Sequence, residues 1–269
     1  MSRLLKFAAF GCLMLAAPVF AAGTPPGIAT KIDHPVPASL LTSLTQASNS
    51  GLGLAPGAGT PLYLKPVDGP RVAQGDKVGI LYVGADFCPY CAGQRWALVL
   101  SLLRFGSFSG LEYMASSATD VYSNTPTFSF LHATYDSKYV TFQAVEMSDR
   151  EGKKLQHMDK AQNDIFNTYN APPYMPHFGG FPFVYVGGQY IATRPLVTPD
   201  MLGGMDWDQI AKAFNTPSSD LYQAAMPQVN AVTAAICRLD GGNPDKVCSA
   251  PGVTAANAAL FRMGSQSSH

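Results

Sequence analysis

Two cysteines set two residues apart, Cys88-Pro89-Tyr90-Cys91, are the side chains in this chain best suited to do chemistry. A thiolate is a strong nucleophile and two thiols at this spacing can close on each other, so the reaction they point to is thiol–disulfide exchange. A free thiol with a pKa near ~8.5 supplies little thiolate at neutral pH, whereas at a helix N-terminus the value falls to about 3.5 to 7.5. Cys88 is expected at such a helix start, where unpaired N–H groups and the positive end of the helix dipole favour its anion, which makes it the attacking thiol. Cys91, one helical turn on, is the expected resolving thiol and the less exposed of the two. Pro89 suits a first turn because the N–H it lacks has no intrahelical partner there, and Tyr90 offers an apolar face to a polypeptide substrate.

The flanking segments supply the elements that must hold this motif. Lys77-Val78-Gly79-Ile80-Leu81-Tyr82-Val83-Gly84 is an apolar, β-branched run that predicts a strand buried on both faces, and Ala85-Asp86-Phe87 carries it to the cysteines. Trp96, Val99, Leu100 and Leu103 recur at helical spacing, predicting a helix from 88 to about 105. Strands are expected over 111–114, 127–131 and 139–146, with Asp136-Ser137-Lys138 read as turn material, and a short helix over 160–169. A proline-rich loop at 172–176 precedes Phe181-Pro182-Phe183-Val184-Tyr185-Val186, whose passage through Gly187-Gly188 into 189–193 predicts a hairpin. Trp207, Ile210, Ala211 and Phe214 mark an amphipathic helix, and further helices follow over 221–239 and 255–263. Ahead of the strand, 23–37 reads as a linker, 38–47 as a short helix, and the Gly/Pro-rich stretch from 51 to 70 as surface structure of modest order.

Composition narrows the setting. Ser2-Arg3-Leu4-Leu5-Lys6 followed by an apolar run to Phe20 and the small residue Ala21 predicts a secretory signal peptide over 1–21, cleaved before Ala22, and a secreted or periplasmic product. The apolar run is shorter than the ~20 residues of a spanning helix, so no stable membrane insertion is expected after its removal. Lipidation at Cys12 is disfavoured, because much of the apolar run follows that cysteine and Phe10 replaces the small residue such a site prefers. Lys and Arg together number 18, as do Asp and Glu, so no basic footprint marks a nucleic-acid partner. Beyond the signal, Cys88, Cys91, Cys237 and Cys248 form an even set, and local pairing of Cys88 with Cys91 and of Cys237 with Cys248 is the simplest arrangement. The second pair closes a short loop outside any strand-to-helix context and reads as a structural disulfide.

A strand ending at Phe87, CPYC opening a helix, and a later proline leading into a Gly-Gly hairpin and a closing helix together resemble the thioredoxin superfamily, over roughly 78–214. More narrowly, Phe87-Cys88-Pro89-Tyr90-Cys91 with Gln94-Arg95-Trp96-Ala97-Leu98, the stretch from Thr119 to Phe128, and Ala234-Ala235-Ile236-Cys237 resemble an uncharacterised domain-of-unknown-function family of secreted thioredoxin-like proteins. The resemblance implies an α/β thioredoxin-like fold, a central mixed sheet flanked by helices, at 76–216. An N-terminal extension at 22–75 precedes it and a helical C-terminal extension at 217–269 follows. It also implies a cis-proline opposite the cysteines that shapes the docking surface. Pro182, preceded by Phe181, fits that role better than Pro126, because a closing helix follows its hairpin.

Direction of exchange is the next expectation. Tyr82 stands where reductants of the superfamily often hold a buried acid, and an exported protein lacks cytosolic reductant, so an oxidant or isomerase acting on protein thiols or disulfides is favoured, with a possible membrane redox partner. Asp86, beside the motif, argues the other way if it raises the Cys88 pKa. No metal or other cofactor is expected. The rivals are a redox-inactive binding module on the same scaffold, and a soft-metal site in which the cysteines bind copper or zinc with help from His132, His157 or His177. The ten methionines are not clustered and read as core filling.

Overall fold

Strand β2 (Val78–Gly84) is buried along its whole length, and the rest of the chain is arranged to cover its two faces. The structure, a computed structural model, describes residues 25–57, 59–72 and 75–266; the expected signal peptide at 1–21, with Cys12, lies outside the described residues. Side chains alternate along a strand, so Val78, Ile80 and Tyr82 enter one apolar cluster while Leu81 and Val83 enter the other. Strand β7 (Val140–Glu146) runs parallel to β2, from Val78 opposite Val140 to Gly84 opposite Glu146. On the other side β8 (Phe183–Val186) runs antiparallel, followed by β9 (Tyr190–Ala192) and the edge strand β1 (Leu64–Pro66). The result is a five-stranded mixed sheet in the order β1-β9-β8-β2-β7. Gly187 and Gly188 make the β8–β9 turn at φ 59° and 83°, angles that side chains disfavour and glycine adopts freely.

Parallel strands need a crossover, and here it begins with helix α3 (Pro89–Leu102), of which only Tyr90 is exposed. Two small antiparallel pairs complete it: β3 (Gly106–Ser109) with β6 (Thr134–Ser137), and β4 (Glu112–Ala115) with β5 (Pro126–Ser129). One expectation is corrected here. Asp136 and Ser137 belong to a strand rather than a turn, because β3 pairs with them and the Ser137 hydroxyl donates to the Phe105 carbonyl at 2.7 Å. β3 itself reads as a helix stop in sequence, since Gly-Ser-Phe-Ser carries no strand pattern of its own and becomes one only by pairing.

Helix α4 (Lys160–Tyr169) covers one face of the sheet with Ile165, Phe166 and Tyr169. Its start is fixed by reciprocal bonds between Asp159 and Gln162. The other face carries α3, α2 (Ala38–Ser50), which follows the short α1 (Pro26–Ala29), α5 (Trp207–Phe214) and α6 (Asp220–Leu239). After α6 come α7 (Asp245–Cys248) and α8 (Pro251–Gln266). The segments expected as extensions are part of this same core. Leu40, Leu44 and Ala47 of α2 and most of α6 are buried in the same apolar cluster as α3. Arg104 locks the junction: its guanidinium donates to the Ser48 carbonyl at 2.8 Å, Asn230 Oδ1 at 2.6 Å and Thr233 Oγ1 at 2.7 Å. Burial with no carboxylate partner lowers its pKa to about 9.

Cys237 and Cys248 form a disulfide with a Cα–Cα separation of 5.5 Å. It staples the end of α6 to α7. Leu239, two residues after Cys237, packs beside Gly187 and Val78, at the end of β2 away from the CPYC motif. β2 spans roughly 20 Å, and its length lies between this end and the CPYC motif. Replacing both Cys237 and Cys248 by Ala is expected to lower unfolding stability by about 2 to 3 kcal/mol, the loop-closure contribution of an 11-residue separation, in a denaturant titration. The alkylation rate of Cys88 should be unchanged in the same variant.

Candidate functional site

Cys88 is the N-cap of α3. Its backbone is extended, its Sγ accepts the Cys91 N–H at 3.2 Å, and Pro89 takes the first helical position. Cys91 is fully buried, and Cys88 keeps 6% of its surface exposed beside Tyr90, which is 42% exposed. The two sulfurs are unbonded thiols in this structure. Their environments pull them apart. The hydrogen bond with the Cys91 thiol, the Cys91 N–H and the charge of Arg95 hold Cys88 below the ordinary thiol value, against the cost of its burial. Burial pushes Cys91 well above that value, and the neighbouring Cys88 adds to the shift. Cys88, the less deeply buried of the two, is thus the more readily ionised thiol.

The opposite wall comes from the loop before β8. The Phe181–Pro182 peptide is cis, and the Phe181 carbonyl lies 4.0 Å from Cys88 Sγ. Pro126 lies elsewhere: it is in β5, opposite Ala115, and its carbonyl accepts the Trp96 indole N–H at 2.8 Å on the flank of α3. A second wall is the 116–125 loop between β4 and β5, tied to the motif by the Ser117 N–H, which donates to the Phe87 carbonyl at 2.9 Å. Arg150 braces that loop through bonds to the Ala115 and Ser116 carbonyls and to Asn124 Oδ1. This rigid frame rests the Tyr122 ring edge-on against Tyr90, with centroids 5.9 Å apart, and projects Val121 outward at 81% exposure. Two of the four large apolar side chains exposed among the described residues therefore belong to Tyr90 and to the loop that contacts it.

At this end of the sheet sits a group of charges that sequence patterns alone do not single out. Arg95, fully buried in α3, donates through Nε to Glu146 Oε1 at 2.9 Å and through Nη2 to Glu146 Oε2 at 2.6 Å and Asp86 Oδ1 at 3.0 Å. Ser129 Oγ and the Phe130 N–H complete the carboxylates' partners, at 3.2 Å each. β2 contributes no carboxylate, but the loop after it and the last residue of β7 contribute one each. The signal available in the sequence was a single arginine among the apolar residues of α3 and a single glutamate ending an apolar strand. Asp86, which would raise the Cys88 pKa if its charge acted on that sulfur, is tied to the guanidinium. Burial pushes its pKa up to about 7 despite Arg95.

Among the described residues no three His, Cys, Asp or Glu side chains are grouped to hold a metal ion, and His132 bonds to Glu112 at 3.2 Å away from the cysteines. A cleft of about 460 Å³, lined by Val72, Gln143, Gln162, Ile165 and Tyr169, does not include either cysteine. No helix among the described residues is long and apolar enough to cross a membrane.

Fold and site together define a mixed α/β protein in which a dithiol opens the most deeply buried helix. A family model described as "Domain of unknown function (DUF929)" matches residues 64–238, and the chain belongs to that family. That span runs from β1 to α6 and so includes the whole sheet, the cysteine motif and the buried ion group. No curated protein and no solved structure matches the chain.

Asp86 generates a pH prediction. Its folded-state pKa of about 7 exceeds its ordinary value of 3.8, so between these the folded protein holds a proton that the unfolded chain has released, and its contribution to stability falls as pH rises. Asp86→Asn should therefore gain stability relative to the wild type as pH is raised through that window, read as the difference in urea midpoints.

Proposed function

We propose that this protein is an exported thiol–disulfide oxidoreductase of thioredoxin-like fold that exchanges disulfides with protein substrates through Cys88 and Cys91. The observation that carries the reading is the opposite treatment of the two sulfurs: Cys88 is at the helix start with its pKa lowered, and Cys91 is sealed with its pKa raised. The order β7-β2-β8-β9, with β2 and β7 parallel and α3 crossing between them, supports the fold assignment. So does the cis Phe181–Pro182 peptide facing Cys88.

The exchange balances without a cofactor. The Cys88 thiolate attacks one sulfur of a substrate disulfide, that S–S bond breaks, and the other substrate sulfur leaves as a thiolate that takes up a proton. Cys91 gives up its proton and attacks Cys88, the mixed disulfide breaks, and the second substrate thiol departs. The substrate has gained two electrons and two protons, and Cys88–Cys91 is the oxidised product. In reverse, a substrate thiolate attacks Cys88 of the disulfide form and releases Cys91.

The reverse direction, oxidation or isomerisation of substrate thiols, is the one we favour, because a stabilised Cys88 thiolate favours the dithiol form and makes the disulfide form the stronger oxidant. Net oxidation then requires a thiol–disulfide partner, at the membrane in our reading, to restore the disulfide. Tyr90, Val121, Tyr122 and Phe181 form an apolar rim suited to polypeptide, and export rests on the basic and apolar start of the chain.

In an insulin-reduction or dithiol-peptide oxidation assay, Cys88→Ser is expected to abolish turnover, and Cys91→Ser to accumulate mixed disulfides with substrate on non-reducing gels. Turnover that survives Cys88→Ser would overturn the assignment. Partner capture that is untouched by it, with no turnover in the wild type, would favour a binding module.

A further inference from the structure

The Arg95 group is larger than the fold requires. A buried guanidinium with one carboxylate would already be neutral; here one cation faces two carboxylates, all three side chains almost fully buried, at the end of the sheet where the reactive helix begins. The three come from separate places. Arg95 lies one turn past Cys91 on α3, Asp86 lies two residues before Cys88, and Glu146 ends β7 opposite Gly84. Glu146 takes two parallel bonds from Nε and Nη2, Asp86 takes the remaining Nη2 bond, and Nη1 is buried without a protein acceptor. The guanidinium also lies 5.7 Å from the centre of the Tyr82 ring, whose hydroxyl is likewise buried and unpartnered. Buried ions of this kind stabilise a fold poorly compared with apolar replacements. Their placement around the only dithiol among the described residues calls for another role.

We propose that Arg95 is a positioning residue for the exchange: clamped by Glu146 and Asp86, it seats the first turns of α3 on the sheet and supplies positive charge that favours the Cys88 thiolate. The inference rests on the reading of Cys88 as the attacking thiol. The groups that act on that sulfur are Cys91, the Tyr90 N–H and Arg95 from α3, Tyr82 from β2 and the Phe181 carbonyl from the loop before β8, while Asp86 from the connecting loop and Glu146 from β7 face the guanidinium. Among them Arg95 is the single cation. Glu146 has two effects of opposite use: it fixes the guanidinium in place and withdraws part of its field. Removing the Glu146 charge therefore strengthens the field at Cys88, and removing the guanidinium abolishes it.

The test is iodoacetamide alkylation of the reduced protein across pH, read at the Cys88 peptide by mass spectrometry, for wild type, Glu146→Gln and the charge-matched double variant Arg95→Met with Glu146→Gln. The pH of half-maximal rate should fall in Glu146→Gln. In the double variant it should rise above the wild-type value by about one pH unit or more, which is about tenfold slower alkylation in mildly acidic buffer. Arg95→Lys, which keeps the charge and loses the fork, should sit between wild type and the double variant. A double variant with native circular dichroism and a wild-type half-point would overturn the proposal. Should the double variant fail to fold, Glu146→Gln decides alone, and an unchanged or raised half-point would overturn it. Alkylation needs no substrate, so a protein that shows both shifts and exchanges no disulfide keeps the effect of Arg95 on Cys88 and loses only the proposed activity.

Discussion

The guanidinium of Arg95 cannot be moved without unsettling both the sheet and the helix that carries the cysteines. Ions taken out of water must be paired with good geometry, and a lone buried charge costs several kcal/mol. Arg95 is buried with Glu146 at the end of β7 and Asp86 in the loop after β2 both within bonding distance. That condition fixes where β7 ends, how the chain leaves β2 and how α3 is rotated about its axis. Once those three are fixed, the position of Cys88 at the start of α3 follows.

The rest of α3 is held by contacts that serve the same end. Gly93 meets the backbone of Val197 so closely that a Cβ would lie 2.0 Å from its carbonyl oxygen, and Gln94 accepts the Leu196 N–H at 3.1 Å. Thr127 Oγ1 donates to the Ala92 carbonyl at 2.9 Å, and the Trp96 ring lies against Phe128 and Phe214. α3 is therefore enclosed on every side by elements from distant parts of the chain. A helix so confined cannot adjust its first turn freely, and the difference in environment between the two sulfurs is built into the native packing.

The molecule also separates its two cysteine pairs. One pair sits at the Gly84 end of β2 with its sulfurs unbonded, and the other closes the α6–α7 turn at the Val78 end. The apolar core between them carries no thiol among the described residues. The bonded and the unbonded pair thus lie at opposite ends of one sheet.

Local patterns in the amino-acid sequence determined the strand, the CPYC motif and helix in that order, the Gly-Gly hairpin, and the amphipathic helices at 160–169 and 207–214. Each of these depends on periodicity or turn chemistry acting within a few residues. β3 and β6 were not legible in this way, because a Gly-Ser-Phe-Ser segment becomes a strand only when its partner arrives. Nor was the membership of α2 and α6 in the core, which depends on faces that meet only after the chain has folded. The ion group around Arg95 was hidden for the same reason: Asp86, Arg95 and Glu146 span 60 positions, and an isolated charge in an apolar stretch says nothing of the partners that will neutralise it. Sequence alone placed two thiols within one turn at a helix start, while tertiary packing decided in which direction the pKa of each is shifted, because a pKa responds to burial and to charges brought close from anywhere in the chain.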